Sequence, residues 1–169
     1  MTENTNKQVS VIDVNSDQGE PLILKKLNMF TPTIPPDFLT ERPPVPKTVK
    51  IEVTNSCNLE CFYCETPYNK MNKKSIDKDF LFKLLKELKA LGVEKVGLFW
   101  LGEPLLNKEL PEYIAFAKEI GINYVFITTN GVLASPERIE RMFQSGLDSI
   151  KFSINASNRI KFKEMCGRD

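Results

Sequence analysis

From Thr48 onward, apolar stretches with the composition of β-strands alternate with longer stretches whose apolar residues recur at helical spacing. The predicted strands cover residues 48–53, 95–101, 124–129 and 149–154. The predicted helices cover residues 75–92, 107–121, 135–146 and 158–167. The strands are short and apolar, as in parallel sheets covered by helices, and 95–101 is apolar enough to be buried on both faces. The order therefore predicts an α/β fold of about four βα units, with the functional site at the carboxyl ends of the strands.

Cap and turn residues set the predicted helix ends. Ser75 is predicted to cap the first helix and Gly92 to follow its last turn. Gly121 ends the second helix, while Ser135 starts the third and Gly146 ends it. These residues mark where each predicted helix begins or ends.

The chain before the first predicted strand differs in amino-acid composition from the rest. Residues 1–20 are polar and are predicted to form a flexible arm, whereas residues 21–47 hold seven of the eleven prolines and are predicted to be extended and irregular. The proline-rich segment fits either a solvated linker or a strap laid over a site. Residues 48–169 are predicted to form the core domain.

Composition narrows the possible partners and the compartment. The chain of 169 residues is 41% apolar and 27% charged, with a formal net charge of +1 and its basic residues dispersed. Neither a nucleic acid nor a membrane is therefore expected as a partner. The N-terminal stretch lacks the apolar core of a signal peptide, so we expect a cytoplasmic protein with reduced thiols. Histidine is absent, which excludes the commonest general base.

Three of the four cysteines lie in the loop after the first predicted strand, at Cys57, Cys61 and Cys64. A disulfide is disfavoured in a reducing compartment, and a structural zinc site normally takes four ligands. The fourth cysteine, Cys166, is treated as distant from this loop, because it lies on the last predicted helix with no paired neighbour, and it is interpreted as a small buried side chain. Three thiolates leave one position on a metal open, which is what a catalytic metal site requires.

The spacing Cys57-x₃-Cys61-x₂-Cys64, with the aromatic Tyr63 just before the last cysteine, resembles the signature of the radical S-adenosylmethionine (SAM) superfamily. The resemblance runs from about Thr48 to the end of the chain. It implies a 4Fe-4S cluster held by the three cysteines, with SAM bound at the open iron. It also implies that the fold is a partial (β/α) barrel of parallel strands.

The ends of the other predicted strands carry residues that match the same family. "LGEP" after the second strand is similar to the family's Gly-Gly-Glu-Pro motif, which receives the α-amino group of SAM; Leu101 replaces its first glycine. The resemblance thus assigns Gly102, Glu103 and Pro104 to SAM binding. A carboxylate is a good acceptor for an ammonium group, and a glycine permits close approach of the backbone.

The third and fourth strands end in "TTNG" and "SINAS". The resemblance assigns Asn130, Ser153 and Asn155 to the SAM site, with Thr129 as a further candidate, and Tyr63 to the adenine through its backbone. An Asn-Gly pair is also a favourable turn in its own right.

The implied activity is reductive cleavage of SAM to methionine and a 5′-deoxyadenosyl radical, which abstracts a hydrogen atom from a substrate that the sequence does not identify. An external electron donor such as a flavodoxin or a ferredoxin is implied. The usual family core has six βα units, so the chain is interpreted as truncated, with a homo-oligomer or a complementing polypeptide as ways to complete it. Related chains of the SPASM type carry a further domain with extra clusters.

Three other interpretations stay open at this point. The chain is alternatively a degenerate iron–sulfur module without catalysis of its own, or a zinc-stabilised interaction domain that uses Cys166 as the fourth ligand. A purely structural α/β domain is the remaining one.

Overall fold

The computed structural model describes residues 38–68 and 71–168. The chain divides into two compact units at residues 44 and 45, and the fold below is that of the second unit, Val45 onward. The predicted arm (1–20) and most of the proline-rich segment (21–47) lie outside the described residues. None of the helices in the described ranges is long and apolar enough to cross a membrane.

Four strands alternate with four helices along the described chain, as predicted. The strands are β1 (Thr48–Lys50), β2 (Lys95–Gly97), β3 (Tyr124–Thr129) and β4 (Ser149–Phe152). The helices are α1 (Lys78–Ala90), α2 (Leu110–Glu119), α3 (Pro136–Gln144) and α4 (Arg159–Cys166).

The strands form one parallel sheet in the order β1-β2-β3-β4. In the register, Val96 of β2 lies between Val49 of β1 and Val125 of β3, and Ile127 of β3 lies beside Ile150 of β4. Because all four strands point the same way, their carboxyl ends meet at one edge of the sheet. This arrangement confirms the prediction of a parallel partial (β/α) barrel with four βα units.

Alternate residues of the strands face a single apolar core. Val96, Leu98, Val125 and Ile127 pack in one cluster with the apolar faces of the helices, where Leu81 and Leu85 of α1 are fully buried. Burial of this cluster supplies the main driving force for folding, because each large apolar side chain contributes about 1.5–3 kcal/mol.

The other face of the sheet is partly open and carries longer side chains. Phe99 and Phe126 form an edge-to-face pair with ring centroids 5.6 Å apart, and the Lys50 ammonium lies 5.4 Å from the Phe99 ring. A side chain at Gly97 would collide with both rings, at 2.9 Å from each. The sheet thus has one face covered by helices and another lined by aromatic side chains.

Several predicted element ends are wrong in detail. Asp77, not Ser75, caps α1, and its carboxylate accepts the Phe80 N–H at 2.8 Å. Ser75 instead forms an isolated antiparallel bridge with Thr54, in which the next residue, Ile76, donates its N–H to the Val53 carbonyl at 3.0 Å. The second helix starts at Leu110, since the Asn107 side chain accepts the Glu109 N–H in a turn before it.

The predicted strand 95–101 is also too long. Its pairing ends at Gly97, and Trp100 and Leu101 are 59% and 40% exposed rather than buried on both faces. The prediction for the third helix is confirmed, because the Ser135 hydroxyl accepts the Arg138 N–H at 3.3 Å.

Candidate functional site

A cavity of about 150 Å³ lies at the carboxyl ends of the strands. It brings together residues from the cysteine loop and from the segments after β2, β3 and β4. Its lining includes Cys57, Leu59, Cys61, Tyr63, Cys64, Trp100, Leu101, Gly102, Glu103, Thr128, Thr129, Asn130, Ser153 and Asn155. All the candidate residues from the sequence lie here except Pro104, which is buried in the short 3₁₀ turn Pro104–Leu106.

Glu103 is the best-anchored side chain of the cavity and is only 2% exposed. One carboxylate oxygen accepts the Leu105 N–H at 2.9 Å and the Thr129 hydroxyl at 2.7 Å, while the other accepts the Asn130 N–H at 2.8 Å. The three donors are neutral. A carboxylate has about four acceptor positions, so one position, on Oε2, is left for a further donor.

Gly102 is required by the packing of the chain against itself. A Cβ atom at this position would lie 1.9 Å from the Thr54 carbonyl oxygen. The close approach predicted for this glycine therefore includes the backbone of the segment that follows β1. The next residue bonds to the same segment, since the Glu103 N–H donates to the Ser56 carbonyl at 2.8 Å.

Leu101, which stands where the family motif has its first glycine, is held by a residue that follows β1. The Glu52 carboxylate accepts the N–H groups of Leu101 and Gly102 at 3.1 and 3.2 Å. Sequence reasoning missed this role, because a single glutamate near the end of a strand carries no specific signal.

The cysteine loop is more open than the strand ends. All three thiols are half-buried. The Cys64 thiol donates to the Thr66 hydroxyl at 3.2 Å, and the Thr66 N–H donates back to that sulfur at 3.5 Å. The Asn130 amide approaches the Cys57 sulfur at 3.9 Å and donates to the Asn58 side chain at 2.8 Å. Asn58 and Thr66 were not predicted from the sequence.

Burial dominates the electrostatics of the loop. It raises the pKa of the Cys57 thiol above 9.0, and it raises the pKa of Cys61 in the same direction, with a smaller opposing effect of a hydrogen bond to Tyr63. Burial also raises the pKa of Tyr63, whose hydroxyl accepts the Asn155 amide at 2.7 Å. Burial therefore favours the neutral thiol at Cys57 and at Cys61.

The donor set suits an iron–sulfur cluster, which is bound by cysteine thiolates. The three thiols line one cavity, and amide or hydroxyl groups already contact two of the sulfurs. Within residues 38–68 and 71–168, however, no three Cys, Asp or Glu side chains are yet close enough to hold a metal ion. A cluster separates its cysteine ligands more widely than a single ion does, because each cysteine binds a different iron, and the residues fit the group by identity and by their shared cavity.

Cys166 lies closer to this loop than its place in the sequence suggested. It is 2% exposed, as expected for a small buried side chain. Its sulfur lies 3.9 Å from the Tyr63 hydroxyl, and its carbonyl accepts the Glu60 N–H at 2.9 Å. Treating Cys166 as distant from the loop was wrong.

Fold and site together define a parallel partial barrel with a three-cysteine loop at the carboxyl ends of its strands. The chain belongs to the radical SAM superfamily, whose family model matches residues 51–169. Enzymes of this class use a 4Fe-4S cluster and SAM. The resemblance seen in the sequence is thereby confirmed.

Among curated proteins, a GTP 3′,8-cyclase of Chlorobaculum tepidum is 38% identical over 122 residues, which are 72% of this chain and 36% of that protein. A probable GTP 3′,8-cyclase of Saccharolobus solfataricus is 31% identical over 121 residues, or 72% of this chain and 39% of the relative. The chain therefore spans little more than a third of the length of these relatives.

Solved structures give the same fold. BtrN in complex with AdoMet and 2-DOIA matches with a TM-score of 0.60 and 27% identity, over 70% of this chain and 50% of that one. Streptococcus suis SuiB bound to the precursor peptide SuiA matches with a TM-score of 0.62 and 22% identity, over 74% of this chain and 28% of that one. At 22% identity, the second likeness shows the fold alone.

Proposed function

We propose that this chain is the cluster- and SAM-binding part of a radical SAM enzyme, with Cys57, Cys61 and Cys64 as the cluster ligands. The observation that carries the proposal is the shared cavity, in which the three thiols meet the anchored Glu103 carboxylate. When bound, the cluster and SAM supply an electron and a 5′-deoxyadenosyl radical for hydrogen abstraction.

In this proposal, Glu103 binds the α-ammonium group of SAM through its remaining acceptor position. The carboxylate is 2% exposed and its three hydrogen-bond donors are neutral, so a cationic ligand would supply the missing counter-charge. Gly102 sets the backbone path that presents Glu103, and Pro104 fixes the turn behind it.

The residues after β3 and β4 complete the proposed SAM site. Asn130 is held at the cavity by its N–H bond to Glu103 and its amide bond to Asn58. Ser153 and Asn155, which follow β4, also line the cavity, and the Asn155 amide donates to the Tyr63 hydroxyl. We assign all three to polar groups of SAM, with Tyr63 beside the adenine.

The cavity is too small to enclose SAM without further residues lining it. About 150 Å³ is small beside the roughly 300–1,000 Å³ of ordinary ligand pockets. At the side of β4, Phe152 and Ile154 are 44% and 82% exposed, and β4 is the edge of the sheet within the described residues. An exposed strand edge favours pairing with another strand.

We therefore propose that β4 is completed by further strands, from a second copy or from another polypeptide segment. Light scattering of the 169-residue chain is expected to show dimers or larger species, and Ile154→Lys is expected to shift them toward monomers. Lys83→Glu, on the exposed face of α1, is the matched control. A stable wild-type monomer that cleaves SAM with multiple turnovers would contradict this part of the proposal.

The electron is proposed to come from an external donor such as a flavodoxin or a ferredoxin, in a reducing compartment such as the cytoplasm. GTP is the first substrate to assay, because the relatives named above are GTP 3′,8-cyclases. Their match covers too little of their length to assign GTP as the substrate.

The proposal is tested by anaerobic reconstitution with iron and sulfide. The expected product is a brown protein with near-equal iron and sulfide, whose reduced electron paramagnetic resonance (EPR) signal changes when SAM is added. Release of 5′-deoxyadenosine would then establish cleavage. A cluster that forms but never cleaves SAM would favour the non-catalytic module, and stoichiometric zinc that resists reconstitution would favour the zinc domain.

A further inference from the structure

The middle of the cysteine loop is bound to the end of the last helix. The Glu60 N–H donates to the Cys166 carbonyl at 2.9 Å, and the Phe62 N–H donates to the Met165 carbonyl at 3.2 Å. These two bonds flank Cys61 on both sides. They also satisfy carbonyls at the end of α4 that have no partner within the helix.

Gly167 makes this contact possible. It ends α4 in the left-handed conformation, with φ +70°, and its N–H donates to the Lys163 carbonyl at 3.0 Å. A Cβ atom here would lie 3.0 Å from both the Cβ atom and the carbonyl oxygen of Glu60. Two requirements thus coincide at this glycine: a backbone conformation that favours glycine, and contact with the residue before Cys61.

Side chains reinforce the same contact. Arg168 pairs with Glu60 at 2.9 Å on the surface, and the Cys166 sulfur lies 3.9 Å from the Tyr63 hydroxyl. The contact between residues 60–62 and residues 165–168 therefore consists of backbone bonds, a close glycine and an ion pair. We call it the loop–helix contact.

We propose that the loop–helix contact, through Gly167, sets the position of Cys61 for cluster binding. Gly167 is a positioning residue, since it acts through Glu60, the residue before Cys61. A side chain at residue 167 would push Glu60 by a few tenths of an ångström, and the displacement would pass to the adjacent Cys61. This inference rests on the proposed cluster.

The decisive comparison is Gly167→Ala against Gly121→Ala in the full chain. Gly121 also ends a helix with positive φ, +86°, but a Cβ atom there would approach only the flexible end of Lys89, at 3.5 Å. The two variants thus introduce similar backbone strain, whereas only the first presses on the cysteine loop. Gly167→Asn is the third variant, because asparagine tolerates the left-handed conformation yet keeps a Cβ atom.

The readouts are iron per chain after reconstitution, the rate of iron loss to a chelator, and the EPR signal of the reduced cluster. Gly167→Ala and Gly167→Asn are expected to lose iron about 10-fold faster than the wild type, the usual scale for a residue that supports a metal ligand. They are also expected to shift the EPR signal, whereas Gly121→Ala matches the wild type in both. Circular dichroism establishes that each variant is folded.

The outcomes separate this inference from the proposed function. If the wild type takes up no cluster, the proposed function fails. If the wild type takes up a cluster and the Gly167 variants hold it equally well with the same signal, the positioning role is overturned. A Gly121→Ala variant that loses iron as fast as Gly167→Ala also overturns it, because backbone strain alone would then explain the loss.

Arg168→Gln supplies a second test that does not touch the backbone, should the Gly167 variants fail to fold. It removes the ion pair to Glu60. The pair is exposed, so an increase of only about two-fold in the rate of iron loss is expected. Lys161→Gln, which removes the exposed pair to Glu164 on the same helix, is expected to leave the rate unchanged. Equal rates for both variants and the wild type would contradict the proposal.

Discussion

The two halves of the candidate site are built differently. The half at the ends of β2 and β3 is buried and closely bonded, with Glu103 and Thr129 each 2% exposed and joined by a 2.7 Å hydrogen bond. The half formed by the cysteine loop is irregular, and its three thiols are half-buried.

The difference shows which part of the site the fold provides in advance. Parallel strands fix the segments that follow them, so the Glu103 side is preorganised by the core. The loop side depends on bonds to α4 and, under the proposed function, on the cluster itself, because metal binding and local ordering are thermodynamically coupled. Substitutions on the loop side should therefore remove the cluster, whereas substitutions on the strand side should reduce the stability of the fold or the affinity for SAM.

The largest expected effect is on the loop side. Cys57→Ala, Cys61→Ala and Cys64→Ala are each expected to abolish the brown colour and the bound iron, because a cluster loses a ligand in each case. The fold should persist, since the core does not include these residues. Iron and sulfide assays with circular dichroism measure both effects. Cys166→Ala is the control and should keep its cluster; a requirement for Cys166 would instead support the zinc interpretation.

On the strand side, Gly102→Ala is expected to damage the fold and the site together. Its Cβ atom would lie 1.9 Å from the Thr54 carbonyl oxygen, which is backbone and cannot rotate away. The expected loss in the free energy of unfolding is about 3 kcal/mol, the upper end for overpacking. Denaturant unfolding measures it, with Gly92→Ala as the comparison, because a Cβ atom at Gly92 meets nothing within 4 Å and adds only the strain of a positive φ, +88°. Equal losses would mean that the close approach is not maintained in solution.

Glu103→Gln is expected to separate SAM binding from cluster binding. Glutamine keeps an oxygen acceptor but removes the negative charge, so SAM should bind more weakly by about 1.5–3 kcal/mol, or about 10- to 150-fold in Kd. The iron content should stay at the wild-type level. Equilibrium dialysis with reconstituted protein measures the Kd. Unchanged affinity would show that the ammonium group binds elsewhere.

The smallest effect is expected in the helical core, away from both halves. Tyr113 is fully buried and its hydroxyl donates to the Glu109 carboxylate at 2.7 Å. Burial, and next this hydrogen bond, raise the pKa of Tyr113 from 10.0 to about 12. The unfolded chain therefore loses the proton first, so the stabilisation is complete below pH 10 and is lost as the pH rises toward 12.

Tyr113→Phe should cost about 1 kcal/mol at neutral pH and flatten the decline in stability between pH 10 and 12. Thermal unfolding across that range measures the effect. SAM affinity and iron content at neutral pH should not change. A change in either would mean that the core and the site are coupled more closely than the contacts indicate.

Much of the fold was predictable because it depends on local patterns. Apolar periodicity located all four strands and helices, and the Ser135 cap and the glycine turns set several of their ends. The errors arose where tertiary contacts competed with local preference. Ser75 has the composition of a cap, but its bridge to Thr54 leaves that role to Asp77.

The sequence by itself determined the alternation of strands and helices, the cysteine spacing and the polar residues that follow each strand, because these are properties of residue order. Only the tertiary structure decided that Glu52 holds the replaced glycine position and that Cys166 and Gly167 lie against the cysteine loop. Such contacts join residues 49 to 108 positions apart. They follow from how the sheet and helices pack, and no local pattern encodes them.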